Sequence, residues 1–206
     1  MVMAMPRVSE AHLNARRDQI LEAAWRCFAR NGFPGTSMQD IFTESGLSAG
    51  AVYRYFPSKL ELVKATTEHV SQIADDAFDS VVRSEPIPPP DTCVRLVVDA
   101  LGRIDQLQEA DLTGVALHMW SEALREPAIG AAVEAVGINV RRRWAEVATR
   151  WQAAGYIAGD ADPDDVARLF YGIMAGYIIQ KCVIGDATPD QYVAGLSALL
   201  PADFSR

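Results

Sequence analysis

The segment Gly46–Lys59 brings together groups that suit contact with nucleic acid. Its first half consists mainly of small residues that leave the backbone accessible, and its second half supplies two phenol hydroxyls, a guanidinium and an ammonium group. Hydroxyls and cations bond phosphate oxygens, and a guanidinium can form two hydrogen bonds with the edge of guanine. Together with two residues at an earlier corner of the chain, the predicted DNA-binding residues are Thr36, Ser37, Ser48, Ala49, Gly50, Ala51, Tyr53, Arg54, Tyr55 and Lys59.

Arg54 is the best candidate for a base contact because its planar side chain matches guanine. Tyr53 and Tyr55 can donate hydroxyl hydrogen bonds to phosphate, which would fix the position of the protein on the duplex. A competing interpretation makes Tyr55 a core residue, since its apolar ring stands beside Phe56. The sequence leaves both interpretations of Tyr55 open.

A short helix is predicted just before this segment. Thr36 is a good N-cap, and Gln39 stands three residues later, where a capping box has its second member. Gly46 can adopt the left-handed conformation that closes a helix and turns the chain sharply. The predicted helix therefore ends at the first residue of the segment.

A second short helix is predicted over residues 49–56. Ser48 is a favourable N-cap, and Pro57 ends the helix because the residue before a proline is driven out of the helical region. Ser58 and Glu61 form the capping box of the helix that follows. Two short helices joined by a glycine-containing turn form a helix-turn-helix, whose second helix enters the major groove of DNA.

Ten positions in the first third of the chain follow one another in a characteristic order: Ile20, Phe28, Gly32, Thr36, Ile41, Gly46, Ser48, Tyr53, Phe56 and Lys59. In this order the chain resembles the tetracycline-repressor (TetR) family of bacterial regulators. Phe42 and Ser45 depart from the pattern, because the family commonly has alanine there. The resemblance implies a further phosphate contact at Lys59, and a homodimer in which the last two helices of each chain form a four-helix bundle.

The net charge divides unevenly along the chain. Residues 1–70 carry eight Lys or Arg and seven Asp or Glu, a balance of +1, whereas residues 71–206 carry eleven and twenty, a balance of −9; the whole chain has −8. A nearly neutral N-terminal part suits a DNA-binding unit that uses a few aimed phosphate contacts. The basic triplet Arg141, Arg142 and Arg143 is interpreted as a solvated helix face.

Cysteine spacing, hydropathy and missing motifs argue against a metalloprotein, a redox protein, a membrane protein and an enzyme. Cys27, Cys93 and Cys182 are far apart, so buried reduced thiols are expected and not a metal or redox site. The longest apolar run, residues 169–184, is interrupted by two polar residues and is shorter than the span of about 20 residues that crosses a membrane. Signal-peptide, metal-site, phosphate-loop and nucleophile patterns are not recognised. We therefore predict a cytoplasmic protein with no cofactor, no metal, no membrane partner and no enzymatic activity.

The spacing of apolar residues predicts an all-α protein of about nine helices. Besides the two short helices, the predicted helices span residues 14–31, 59–83, 91–109, 112–125 and 127–155, followed by one that begins after Asp162 and one that is capped by Thr188 and ends near Leu200. We predict a three-helix DNA-binding domain at residues 1–58 and a helical ligand-binding and dimerisation domain at residues 59–206.

The eighth helix is apolar on nearly every side over residues 169–184. Such a helix must be buried on both sides, so it needs a partner beyond its own domain. Gly172 and Gly176 would let a neighbouring helix approach closely. The predicted dimer interface comprises Leu169, Ile173, Gly176, Tyr177, Gln180, Tyr192, Leu196 and Leu199.

Large side chains of the C-terminal domain are candidates for a ligand pocket. They are Leu101, Asp105, Met119, Trp120, Trp144, Trp151, Phe170, Met174 and Tyr177. Their helical spacing is also what core residues show. For Asp105 the favoured interpretation is a side chain that reaches water near the end of its helix, and the alternative is a carboxylate in the pocket. The ligand is predicted to be hydrophobic or, in view of the surplus of acidic residues, cationic.

These patterns favour a homodimeric, ligand-responsive repressor that binds a double-stranded DNA operator and is released by a small-molecule effector. Release would follow from a population shift set by the effector's preference for one conformation. A second hypothesis is an activator or a ligand-independent regulator, which a reporter assay would separate from a repressor. A third is a helical carrier or enzyme with a vestigial DNA-binding module, which absence of duplex binding would favour.

Overall fold

The described part of the chain forms nine α-helices. The structure is a computed structural model and describes residues 10–107 and 112–200, apart from the side chains of Glu10, residues 101–107 and Leu112. The helices are α1 (Glu10–Gly35), α2 (Met38–Ser45), α3 (Ala49–Tyr55), α4 (Lys59–Val82), α5 (Pro90–Leu107), α6 (Leu112–Ala123), α7 (Pro127–Ala154), α8 (Pro163–Ile179) and α9 (Pro189–Leu199), and a π-helical turn, Gln180–Ile184, extends α8. The prediction of an all-α protein with about nine helices is confirmed.

Local capping residues set most of the helix ends. The predicted ends of α4, α6, α7 and α9 and the predicted start of α8 lie within two residues of the observed ones. Asp162 caps α8 by accepting the backbone N–H of Asp164 at 2.8 Å, and Thr188 caps α9 in a capping box with Gln191. These bonds join residues two or three positions apart, so the sequence alone discloses them.

The first helix differs from its prediction. It is already helical at Glu10 and continues to Gly35, whereas the sequence predicts residues 14–31. Gly32 interrupts it with φ 67° and ψ 174°, a conformation open mainly to glycine, and one further turn follows through Pro34. Gly32 therefore ends the first helical stretch, as predicted, and a short second stretch follows it; only the observed start, at Glu10, lies earlier than predicted.

The N-cap of α2 is Ser37 and not Thr36. The Ser37 hydroxyl accepts the backbone N–H of Asp40 at 3.2 Å, and the Asp40 carboxylate accepts the backbone N–H of Ser37 at 2.8 Å. Hydrogen bonds from the Ser37 hydroxyl and backbone lower the pKa of the Asp40 carboxyl. Thr36 is buried, and its hydroxyl donates to the carbonyl oxygen of Gly32 at 2.8 Å. The predicted capping box of Thr36 and Gln39 is wrong because Thr36 closes the end of α1 instead.

One hydrophobic core lies among α1 to α4. Phe28, Ile41 and Val52 are fully buried in it, and Leu62 of α4 joins them. Ile129 of α7 belongs to the same core. The core therefore continues past residue 58, and the domain division at that residue stays a prediction.

A second core lies among α4, α5, α7 and α8. Its centre is an aromatic group in which Trp144 contacts Phe78 at a ring-centroid distance of 4.9 Å and Phe170 at 5.0 Å. Trp151 lies 4.9 Å from Phe170. Trp144 and Trp151 are fully buried, so these packed aromatic rings form the centre of the hydrophobic core in the C-terminal part.

The α4–α7 ion cluster, formed by Asp75, Asp79, Arg143 and Glu146, joins the second half of α4 to α7. Arg143 is 9% exposed, donates to Asp79 and to Glu146, the latter at 2.6 Å, and has its Nε 3.5 Å from Asp75. Arg150 donates to backbone carbonyls at the end of α4. The interpretation of Arg143 as part of a solvated face is wrong, because three carboxylates surround its buried charge.

Candidate nucleic-acid interface and internal cavity

The helix α3 is buried on one side and exposed on the other. Val52 is fully buried and anchors α3 in the first core. The Ser48 hydroxyl accepts the backbone N–H of Ala51 at 3.3 Å, which caps the helix. Gly46, at φ 68°, turns the chain between α2 and α3 in a conformation that favours glycine. The predicted helix-turn-helix is therefore formed by α2 and α3.

Most of the predicted DNA-binding residues lie on the outer side of this motif. Ser37, Ser48, Ala49, Gly50, Tyr53 and Arg54 are exposed, and Ala51 and Tyr55 are half-buried. A Cβ added at Gly50 would meet no atom within 4 Å, so the backbone at the start of α3 is open to a close partner. Arg54 makes no hydrogen bond or ion pair with any residue in the described ranges, which leaves its guanidinium available to a ligand.

The two departures from the family pattern each have a structural role. The Phe42 ring packs edge-on against the Tyr53 ring with centroids 5.3 Å apart, which holds the exposed tyrosine in place. Ser45 is buried; its hydroxyl donates to the Phe42 carbonyl, and its own carbonyl accepts the side-chain amide of Gln19 at 2.8 Å. These residues connect α2 to both α1 and α3.

Thr36 and Lys59 are placed differently from the other predicted DNA-binding residues. Thr36 is 1% exposed, so its side chain does not reach the surface, contrary to the prediction. The Lys59 ammonium donates to the backbone carbonyls of Phe33 at 2.7 Å and Thr36 at 2.8 Å, and it lies 4.2 Å from the centroid of the Phe33 ring. Burial lowers the pKa of this ammonium group. Lys59 thus joins the end of α1 to α4, a role that sequence reasoning missed because the partners lie 23 and 26 residues away.

A cavity of about 150 Å³ lies among α4, α5, α6, α7 and α8. Its walls are mainly aliphatic and methionine side chains, together with Phe78, Trp120, Tyr171 and three threonines. None of the described residues that line it carries a formal charge. The cavity is suited to an apolar ligand.

The predicted pocket residues divide between the cavity and the core. Met119, Trp120 and Met174 line the cavity. Trp144, Trp151, Phe170 and Tyr177 belong to the second core and do not line the cavity, so this part of the prediction is corrected. The side chains of Leu101 and Asp105 lie outside the described residues. Helical spacing shows that a side chain faces inward, but it does not show whether that side chain meets a neighbour or a space.

Thr66 connects the cavity wall to α1. Its hydroxyl accepts the indole N–H of Trp25 at 2.9 Å and donates to the carbonyl of Leu62 at 2.8 Å. His69, one turn further along α4, stacks on Trp25 with ring centroids 4.7 Å apart, and burial lowers the pKa of its imidazole. Sequence reasoning missed the hydrogen bond between Trp25 and Thr66, since no local pattern links residues 41 positions apart.

The outer side of α8 is exposed in the single chain. Leu169 is 62% exposed, Ile179 is 44% exposed, and a Cβ at Gly172 would meet no atom within 4 Å. Among the other predicted interface residues, Gln180 and Leu199 are exposed, whereas Ile173, Gly176, Tyr192 and Leu196 are half-buried. Tyr177 is buried within its own chain against the ring of Tyr192, with centroids 5.2 Å apart, contrary to its predicted place.

Residues 10–107 and 112–200 contain neither a metal-binding cluster nor a membrane-spanning helix. No group of three His, Cys, Asp or Glu residues there is arranged to hold a metal ion. No helix there has the length and apolar character needed to cross a bilayer.

Two family models match the chain. A model of bacterial regulatory proteins of the tetR family matches residues 20–66, and a model of tetracyclin repressor-like C-terminal domains matches residues 88–202. The second match alone spans more than half of the chain. The two together take in the helix-turn-helix and the cavity-lining residues of α5 to α8, but not those of α4 beyond Thr66.

Similarity to the first curated relatives is confined to about a third of the chain. The HTH-type transcriptional repressor Rv1474c of Mycobacterium tuberculosis (strain ATCC 25618 / H37Rv) is 39% identical over 74 residues, which make up 34% of this chain and 40% of that protein. The matched stretch spans about a third of the length of the first curated relatives. These relatives are transcriptional regulators.

Two solved structures share the fold over most of the chain. A putative transcriptional regulator from Saccharomonospora viridis in complex with choline has a TM-score of 0.72 and 23% identity, over 90% of this chain and 95% of that chain. AibR in complex with isovaleryl coenzyme A and operator DNA has a TM-score of 0.65 and 22% identity, over 90% of this chain and 97% of that chain. At these identities the likeness shows the fold alone.

Proposed function

The chain belongs to the tetracycline-repressor family of bacterial regulatory proteins, and from this premise we propose its function. It acts in the cytoplasm as a homodimeric transcriptional repressor without enzymatic activity. It binds a double-stranded DNA operator through α2 and α3 and leaves the operator when a small molecule occupies the cavity among α4 to α8.

The exposed side of α3 supports the DNA-binding part of this proposal. Val52 holds the helix on the core, so its small N-terminal residues and Arg54 project away from the protein as a rigid unit. In a helix-turn-helix, the corresponding face of the second helix contacts base edges in the major groove. Two protomers would read half-sites about one helical turn apart, roughly 34–36 Å.

The outer side of α8 supports the homodimer. Leu169 and Ile179 expose apolar surface on either side of the open space at Gly172, where a partner helix could approach closely. Exposed apolar surface of this kind is removed from water by association. Gln180 and Leu199 add exposed contacts at the end of α8 and on α9.

One observation carries the proposed response to a small molecule, namely that α4 belongs to both functional regions. Its first turns bring Leu62 into the core that supports α3, and its middle turns bring Thr66 and Val70 into the cavity wall. The hydrogen bond from Trp25 to Thr66 ties α1 to that wall. An effector that moves α4 therefore changes the position of the helix-turn-helix, provided that the effector binds the two positions with different affinity.

A structural neighbour supports the proposal that one fold holds both a DNA-binding site and a small-molecule site. AibR was solved with both isovaleryl coenzyme A and operator DNA. Coupling of two such sites is reciprocal, so an effector that weakens operator binding must itself bind the operator complex less tightly. Titrating the effector against the free protein and against the complex measures this coupling directly.

The DNA-binding proposal is tested with an operator selected from random duplexes and measured by fluorescence anisotropy. Arg54→Ala should weaken operator binding by about 1–3 kcal/mol and relax the preference at one base pair in each half-site. Arg83→Ala is the matched control, because it removes an arginine with 78% side-chain exposure at the far end of α4. Equal operator affinity for the wild type and both variants would show that α3 is not the reading helix.

A further inference from the structure

We propose that the cavity selects an uncharged, largely apolar molecule that carries a hydrogen-bond-accepting oxygen, and that Trp120 and Tyr171 donate to that oxygen. The inference rests on the proposed function, since it names the chemical class of the effector.

Two donors line the cavity from different helices. Trp120 belongs to α6 and Tyr171 to α8, and both side chains are half-buried. Within the described part of the chain, neither the indole N–H nor the phenol O–H has a hydrogen-bond partner. Polar groups withdrawn from bulk water normally have such a partner, supplied by protein, water or ligand. An acceptor on a bound molecule would complete the bonding of both residues.

The other polar groups of the wall are already used within the protein. The Thr66 hydroxyl bonds Trp25 and a backbone carbonyl, and the Thr67 hydroxyl donates to a backbone carbonyl at 2.8 Å. The Thr113 hydroxyl accepts the ammonium group of Lys181 at 3.1 Å. Among the described lining residues, the donors left available to a ligand are therefore those of Trp120 and Tyr171.

Gly137 provides the space that the Tyr171 hydroxyl occupies. A Cβ at Gly137 would lie 3.2 Å from the hydroxyl oxygen, closer than an ordinary carbon contact, and Gly137 itself lines the cavity. The hydroxyl is thus seated against α7 at the cavity wall, within reach of the enclosed space.

The charge and volume of the cavity restrict the rest of the ligand. No described lining residue carries a formal charge, and burying an unpaired ionic group in such surroundings is costly. The acidic residues Asp75 and Asp79 are paired with Arg143 outside the lining, so neither carboxylate is available to a cation in the cavity. An apolar space of about 150 Å³ holds a molecule of roughly benzene size. An aryl or short alkyl ketone has the required size and chemistry.

Four small probes test the class of ligand on the full-length protein without DNA. Acetophenone offers a carbonyl oxygen, and α-methylstyrene has nearly the same shape with a carbon in its place. Phenyltrimethylammonium and benzoate supply a cation and an anion on the same ring. Affinities are measured by NMR titration, with the indole N–H resonance of Trp120 assigned by its loss in Trp120→Phe.

Acetophenone is expected to bind the wild type roughly 5- to 150-fold more tightly than α-methylstyrene, the range that two added hydrogen bonds give. Tyr171→Phe and Trp120→Phe should each reduce this ratio, and the double variant should bring it close to one. Tyr156→Phe, which alters a tyrosine outside the cavity lining, should keep the wild-type ratio. Unchanged helicity and melting temperature identify variants that are folded.

Several results would overturn the inference. They are equal affinity for acetophenone and α-methylstyrene, a ratio that survives the double variant, tighter binding of either charged probe, and no binding of acetophenone at millimolar concentration. Operator binding is measured on the same samples, which separates the two proposals. Acetophenone bound as expected with no loss of operator would refute effector-driven release alone, whereas operator release by a charged probe would refute the ligand class alone.

Discussion

Replacing Lys59 with methionine separates the two roles that this residue has been given. The change removes the ammonium group but keeps an unbranched apolar side chain near the Phe33 ring. Two charge-assisted hydrogen bonds, to the carbonyls of Phe33 and Thr36, are lost. The resemblance instead gives Lys59 a phosphate contact, whose loss would affect DNA binding and leave the fold unaffected.

The structure allows the loss of stability to be estimated. A hydrogen bond that involves a charged group contributes about 1.5–3 kcal/mol. Because Lys59 is half-buried and so remains partly solvated, we take about 2 kcal/mol for the two bonds together, less than the sum of two such values. In a protein of this length that corresponds to a fall in melting temperature of about 4–8 °C. Lys64→Met is the matched control: its ammonium bonds Glu61 at 2.8 Å, but 48% of its side chain is exposed, so we expect less than about 0.5 kcal/mol.

Thermal and urea unfolding followed by circular dichroism measure this difference. A Lys59→Met variant as stable as Lys64→Met would refute the argument that the two carbonyl bonds hold α1 to α4. The salt dependence of operator binding is a separate readout. A decrease in its slope of about one unit would show that Lys59 also bonds phosphate.

Two further predictions concern the dimer and the dependence on pH. Gly172→Arg should give monomers in sedimentation velocity without loss of helicity, because a Cβ at Gly172 would meet no atom of its own chain within 4 Å. Gly176 is less suitable for this test, since a Cβ there would lie 3.2 Å from the Tyr192 hydroxyl. A dimer that persists in Gly172→Arg would exclude this side of α8 as the interface. Burial lowers the pKa of His69 below its ordinary value of 6.5, so the unfolded state binds the proton first, and stability present above pH 6.5 should be lost as the pH falls. His69→Phe keeps a ring against Trp25 and should lose less stability than the wild type between pH 7 and 5 in urea unfolding; parallel pH profiles would rule His69 out as the cause.

The helices and their order could be predicted because their ends depend on nearby residues. Ser48, Asp162 and Thr188 each bond a backbone N–H two or three residues away, and such bonds follow from residue type and spacing. The same reasoning chose the wrong cap for α2, because Thr36 and Ser37 are both good caps. A tertiary requirement, the closure of α1 by the Thr36 hydroxyl, decided between them.

Contacts between distant parts of the chain could not be predicted in this way. Arg143 has no local signal that distinguishes it from its neighbours Arg141 and Arg142, since the carboxylates of Asp75 and Asp79 belong to another helix. The cavity was missed in part for a related reason. A helical wheel places core and lining residues on the same inward side, and only the packing of several helices together leaves a space beside some of them.

The α4–α7 ion cluster gives α4 the mechanics of a lever with its pivot at one end. Lys59 stands 20 residues before Asp79, about 30 Å along the helix, and Thr66 stands about 20 Å from the same residue. A displacement of about 1 Å at Thr66 would therefore become about 1.5 Å at Lys59, if α4 turns about the cluster as a rigid rod. The displacement is largest at Lys59, which is bonded to the end of α1, so a small movement at the cavity wall becomes a larger one where α4 meets the DNA-binding helices.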